Sequence, residues 1–253
     1  MCIIPGPIES VSNTKLFVLP NMDKTRQMTF YMNSVRTLDE NLMILPVPHP
    51  DTIQLHKHKG KRLFSQLSDS VYSTERRWEY IGDSMTRSAS LSASYTLPVF
   101  DHGSYLVSIA NTISDLFRLN RDVFELPAGL DEFFAKHYTS EFGYLCCVLK
   151  PEITDYEPLC YSHALHSNGR LFVPTLHYHN HGGRVETEKA DWDHLIYSMG
   201  TEETANYKFG SEAENKVAWG SFPTEFRKTK DQPVRCAKIV GFQANRDIAF
   251  PLV

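Results

Sequence analysis

Three histidines stand at every second position in PTLHYHNHGG (174–183): His177, His179 and His181. In an extended strand, residues i and i+2 share a face. Strand rise sets their backbones about 7 Å apart. Two imidazoles at that spacing can converge on one ion, as H-x-H pairs do. A metal needs further ligands. DWDH (191–194) supplies Asp191, Asp193 and His194 a short way downstream, and His163 and His166 precede the motif. One reading is therefore a divalent metal on His177 and His179. A second is acid–base or substrate-facing chemistry without metal, with His179 handling the proton and His177, Asp193 and His194 binding. The third is a polar strand face, which eleven histidines in the chain make easy to produce by chance.

The second candidate is Cys2, in MCIIPGP. A small residue at position two favours removal of the initiator methionine. Cys2 would then carry both a thiol and a free α-amine. That amine has a pKa near 8 and can act as a local base for the thiol. This is the chemical logic of N-terminal-nucleophile hydrolases, which attack amide-like bonds. In the choloylglycine-hydrolase type an Arg and an Asp or Asn soon after the nucleophile orient it. PNMDKTRQ (20–27) offers Asn21, Asp23 and Arg26 at loosely similar spacing, so Asp23 and Arg26 join Cys2 as candidate catalytic residues. Asn33 is a candidate oxyanion donor. The plain alternative is that Cys2 is a small core residue.

These residues sit in a chain of 253 residues with net charge −4, 42% hydrophobic and 22% charged. The length suits one large domain or two small ones, and either can bury a core. The charge gives no global electrostatic case for nucleic acid or an anionic membrane. No apolar run approaches the ~20 residues that span a bilayer, and no signal-peptide pattern is present. Five cysteines at spacings that match no zinc or disulfide pattern read as free thiols in a reducing compartment, the cytoplasm or a virion.

The elements that must position the candidates read as β-rich. KLFVLP (15–20), RQMTFYMNSV (26–35) and NLMILPVP (41–48) are strand-like, and NLMILP is apolar on both faces, as a central strand requires. Leu63, Phe64, Leu67 and Val71 give helical spacing within 54–72, after a basic cluster at Lys57, Lys59, Lys61 and Arg62. The serine-rich stretch 73–94 reads as a loop. Residues 103–120 read as a helix, or as a strand over SYLVSI leading into a shorter helix. Leu130, Phe133, Phe134 and His137 mark another helix, and FGYLCCVLK (142–150) a buried strand. The turn signals SNGR and NHGG divide 158–186 into what looks like a three-stranded meander. The fold class expected is α+β: a sheet-dominated single domain, 1–253, with two or three helices mid-chain.

The chain resembles a Met-Cys-start family of uncharacterised proteins at MC…GP (2–7), at Arg26-Gln27, at NLMILPVP (41–48), and at FVPTLHYH (172–179) with Asp193-His194 afterwards. The resemblance implies a single co-extensive domain and no particular chemistry. It stresses Cys2, His177, His179, Asp193 and His194, and leaves out His181 and the basic cluster. Three function classes follow. The first is a cysteine hydrolase acting on a small-molecule or peptide amide. The second is a metal- or ligand-binding protein that uses the histidine strand without turnover. The third is a self-assembling structural component, for example of a virion.

Overall fold

Alternating burial along long strands builds this chain, and its apolar residues fall into two inner faces and two outer ones. The computed structural model describes residues 3–57, 61–71, 96–120, 122–123, 126, 128–181, 184–185, 188–201, 210–213, 217–227 and 234–252. In the N-terminal half the strands are β1 (Ile3–Pro7), β2 (Ser10–Pro20), β3 (Arg26–Arg36), β4 (Asn41–Pro48), β5 (Gln54–Leu55), β6 (Phe100–His102) and β7 (Tyr105–Ala110). Helix α1 (Lys61–Val71) follows β5. Helix α2 (Leu130–His137) precedes β8 (Phe142–Leu149), β9 (Leu159–Ala164), β10 (Arg170–Val173), β11 (Tyr178–His181), β12 (Arg184–Val185) and β13 (Lys189–Met199). The chain closes with β14 (Gly210–Ala213), β15 (Val234–Ala244) and β16 (Ile248–Pro251).

Two seven-stranded sheets result. The first runs β12-β11-β1-β4-β8-β7-β6 and the second β14-β15-β13-β2-β3-β9-β5, while β10 and β16 form a separate pair. The fold is α+β and sheet-dominated, with two α-helices among the described residues. One core lies between the sheets: Ile4, Met43, Leu45 and Cys147 from the first meet Leu16, Val18, Tyr31 and Ile196 from the second. The outer face of the first sheet, with Ile3, Leu42, Ile44 and Cys146, is covered by Leu130 and Phe134 of α2. The outer face of the second, with Phe17, Phe30 and Tyr197, is covered by Leu63, Phe64 and Leu67 of α1 and by Phe222 and Phe226. Adjacent Cys146 and Cys147 thus face opposite cores, as strand alternation demands.

NLMILP is central: β4 lies between β1 and β8, and both of its faces are buried. Of the two readings of 103–120, the structure takes the strand followed by a short 3-10 turn at Ser114–Arg118. The meander expected over 158–186 does not form. β9 joins the second sheet, β11 the first, and β10 pairs with β16. Turn residues predict where a chain reverses and are silent on its partner. The Gln27 side chain substitutes for a strand beside β10: its Oε1 accepts the Phe172 N–H at 2.8 Å and its Nε2 donates to the Phe172 carbonyl at 2.6 Å. The expected loop at 73–94 lies outside the described residues.

Candidate functional site

The histidine strand β11 runs parallel to the N-terminal strand β1, second from the β12 edge of the first sheet. Ile3 is in register with Tyr178 and Ile4 with His179. Residues in register share a face, so His179 points with Ile4 into the inter-sheet core, and His177 does the same. From the opposite sheet His194 and Trp192 point inward, two residues apart. The rings meet: His177 to His179 at 5.4 Å, His177 to His194 at 5.2 Å, and His177 to Trp192 at 5.2 Å between centroids. All four side chains are buried.

Burial decides their electrostatics. Desolvation, followed by the positive amino terminus and the neighbouring imidazoles His177 and His179, holds His194 well below the ordinary histidine range. Its Nδ1 accepts the Asp193 N–H at 3.2 Å, which puts the ring proton on Nε2. The Asp193 carboxylate is 3.7 Å from that Nδ1, too far for a hydrogen bond. Burial raises the Asp193 carboxyl, against lowering contributions from Thr14 and Asn13. The expected carboxylate–imidazolium pair is therefore replaced by a neutral imidazole beside a partly desolvated acid. His177 and His194 are stacked within 19° of parallel. A metal is bound in the ring plane, so face-to-face rings do not aim their nitrogens at one point. Among the described residues no group of three or more His, Cys, Asp or Glu side chains could hold a metal ion.

A clamp that the sequence did not reveal fixes this strand. In the loop between β15 and β16, Asn245 Oδ1 accepts the His177 N–H at 2.7 Å and Asn245 Nδ2 donates to the His177 carbonyl at 2.9 Å. Half-buried Asp247 accepts the N–H groups of Thr175 and Leu176 on Oδ1, at 2.6 and 2.8 Å, and the Tyr138 hydroxyl on Oδ2, at 2.8 Å. NRD (245–247) links β15 to β16. Its two Asx residues were the available signal, since short polar side chains readily bond nearby backbone. That they grip a segment some seventy positions away is a tertiary fact.

The remaining candidates fall elsewhere. Cys2 lies outside the described residues; Ile3 and Ile4, which follow it, are 0% exposed. Asp23 is exposed in the β2–β3 turn, which Asn21 organises by accepting the Thr25 and Arg26 N–H groups. Arg26 donates from Nη2 to the Thr52 carbonyl and Ser162 Oγ. His194 follows the β2 register near Lys15, whereas Arg26 lies past Pro20, roughly 17 Å further along the strand. The structure therefore brings His177, His179 and His194 together and sets Asp23 and Arg26 apart from them. Asn33 is buried on the inner face of β3 and donates to the Tyr31 hydroxyl at 3.0 Å. Buried His163 donates to the Ala164 carbonyl, and His166 approaches Glu141. Lys57 and Arg62 are exposed, and the side chain of His181 is outside the described set.

No protein-family model and no curated protein matches this chain. Solved structures do. Over 100% of both chains it is similar to the crystal structure of baculovirus P35, with a TM-score of 0.55 at 16% identity. It is also similar to a mutated baculovirus P35 determined after caspase cleavage, with a TM-score of 0.56 at 14% identity, over 96% of this chain and 100% of that one. At such identities the likeness is one of fold: the two packed sheets with their flanking helices are the architecture of baculovirus P35.

Proposed function

We propose that this chain is a viral protein that engages a caspase-class protease and is cut by it. The observation that carries the reading is the end-to-end likeness to P35, one of whose structures was determined after caspase cleavage. Caspases cut after aspartate. In the polar, serine-rich stretch 73–94 the single aspartate is Asp83, within YIGDS, and the proposed cut follows it. The partner is then a peptide-cleaving enzyme and not a small molecule. The test incubates the purified chain with a caspase and weighs the products. Two fragments meeting at Asp83, and resistance of Asp83→Ala, support the reading. An intact chain, or a cut elsewhere that Asp83→Ala leaves in place, overturns it.

A second reading keeps Cys2 as a nucleophile toward an amide-like carbonyl. What favours it is the position of β1, which enters the sheet beside His177, His179 and His194, the last of which burial keeps neutral. Neutral imidazole is the form that accepts a thiol proton. The four described thiols, Cys146, Cys147, Cys160 and Cys236, are buried, and burial pushes those of Cys146 and Cys160 up. Intact mass should show loss of Met1, and Cys2 should alkylate faster than Cys146 or Cys147. Retained Met1, or labelling of Cys2 no faster than theirs, removes this reading.

A further inference from the structure

β15 is longer than the strand that covers its outer edge. Its inner edge pairs with β13 along all of Val234–Ala244. Its outer edge meets β14 at Val234 and Cys236 alone. From Lys238 to Ala244 no strand among the described residues covers that edge. The Asn245 N–H donates to the Glu188 carbonyl at 2.9 Å, which fixes the phase of the ladder. Odd-numbered residues bond to β13, so the N–H and C=O groups of Lys238, Val240, Phe242 and Ala244 point outward. Gln243 Nε2 reaches the Val240 carbonyl at 3.3 Å, a long contact that a partner strand can displace. Val240 is 54% exposed and Phe242 77% exposed. Edges of this kind are normally blunted by charge, proline or a covering element; here Lys238 supplies one charge at the end of the run.

We propose that Lys238–Ala244 is a self-association edge that pairs antiparallel with the same segment of a second copy, about a two-fold axis at Gly241. The run left uncovered among the described residues is symmetric about that residue. An axis there sets Val240 opposite Phe242 of the other copy, and Lys238 opposite Ala244. Every outward backbone group is used, and the pairing stops short of the residues that β14 occupies. Each Phe242 lies across from a valine, an aromatic–β-branched pair that favours antiparallel pairing. The two Lys238 side chains fall at opposite ends, roughly 20 Å apart. Gly241, with φ +78°, has no atom within 4 Å of where a Cβ would stand, so no side chain crowds the strand at the axis. Such a contact is isologous and closes as a dimer. It is also shorter than interfaces of ~1,200 Å² or more, so the dimer should be reversible.

Sedimentation velocity of the full chain from about 1 to about 200 µM tests this, a range that brackets weak association. The wild type should shift from monomer to dimer with concentration. Phe242→Arg should remain monomeric at the top concentration with an unchanged melting temperature, because the side chain it replaces lies outside every core. Val240→Pro removes an outward N–H without touching the β13 ladder and should act the same way. A wild type that is monomeric throughout, or a Phe242→Arg variant that dimerises like the wild type, overturns the proposal.

Discussion

Asp247 offers the sharpest test of how the histidine strand is held. Its half-buried carboxylate accepts the N–H groups of buried Thr175 and Leu176 and the hydroxyl of buried Tyr138. Asp247→Ala leaves those three donors without their acceptor. An orphaned buried donor costs about 1–3 kcal/mol, and the costs do not add fully because the donors share one site. Removing a partly desolvated charge returns part of the loss, since desolvation raises the Asp247 carboxyl despite the bonds that lower it. The net expectation is a loss of about 3–5 kcal/mol, a large share of the ~5–15 kcal/mol available to a domain. Asp247→Asn keeps Oδ1 for both amides and presents its Nδ2 to the Tyr138 oxygen, so it should lie within about 1 kcal/mol of the wild type. The pH dependence has a definite sign. A carboxyl raised in the folded state is most compatible with folding below its unfolded value near 3.8. That compatibility is lost as pH rises through the folded value, so Asn should gain on Asp between acid and neutral pH. Urea midpoints of the three proteins across that range provide the assay. An alanine variant within 1 kcal/mol of wild type, or an asparagine variant as damaged as alanine, would refute the clamp.

Two further outcomes are expected. Burial brings His163 down to about 4 from 6.5, so the stability it contributes is full above 6.5 and is lost as pH falls toward 4. The amount is on the order of 3 kcal/mol, and melting temperatures followed through that window should fall less for His163→Gln than for wild type. In the N-terminal PGP, a Cβ on Gly6 would meet Asn41 Oδ1 at 2.5 Å, where Asn41 also accepts the Gly6 N–H and donates to the Pro7 carbonyl. Gly6→Ala should cost about 1–3 kcal/mol, and far less in an Asn41→Ala background; equal costs in the two thermal melts would show that the contact is not the cause.

Much of the architecture was legible in the residues because burial follows local period. LMILP (42–46) is apolar at every position, and a strand buried on both faces is the simplest way to hide it; β4 is that strand. The spacing of Leu63, Phe64 and Leu67 can bury one side only as a helix, and α1 does so. The two-residue spacing of His177 and His179 set them on one face by strand geometry alone. What the sequence could not say was which way that face looks or what meets it. A period of two is the same for a solvated strand and for one in a core. The inward orientation comes from register with Ile4, 175 positions earlier, and the facing His194 from a strand in the other sheet. Partner choice likewise escaped the local signals of 158–186, where each reversal delivers its strand to a different sheet. Pairing is settled by distant edges competing for the same backbone groups, and only the assembled structure contains that competition.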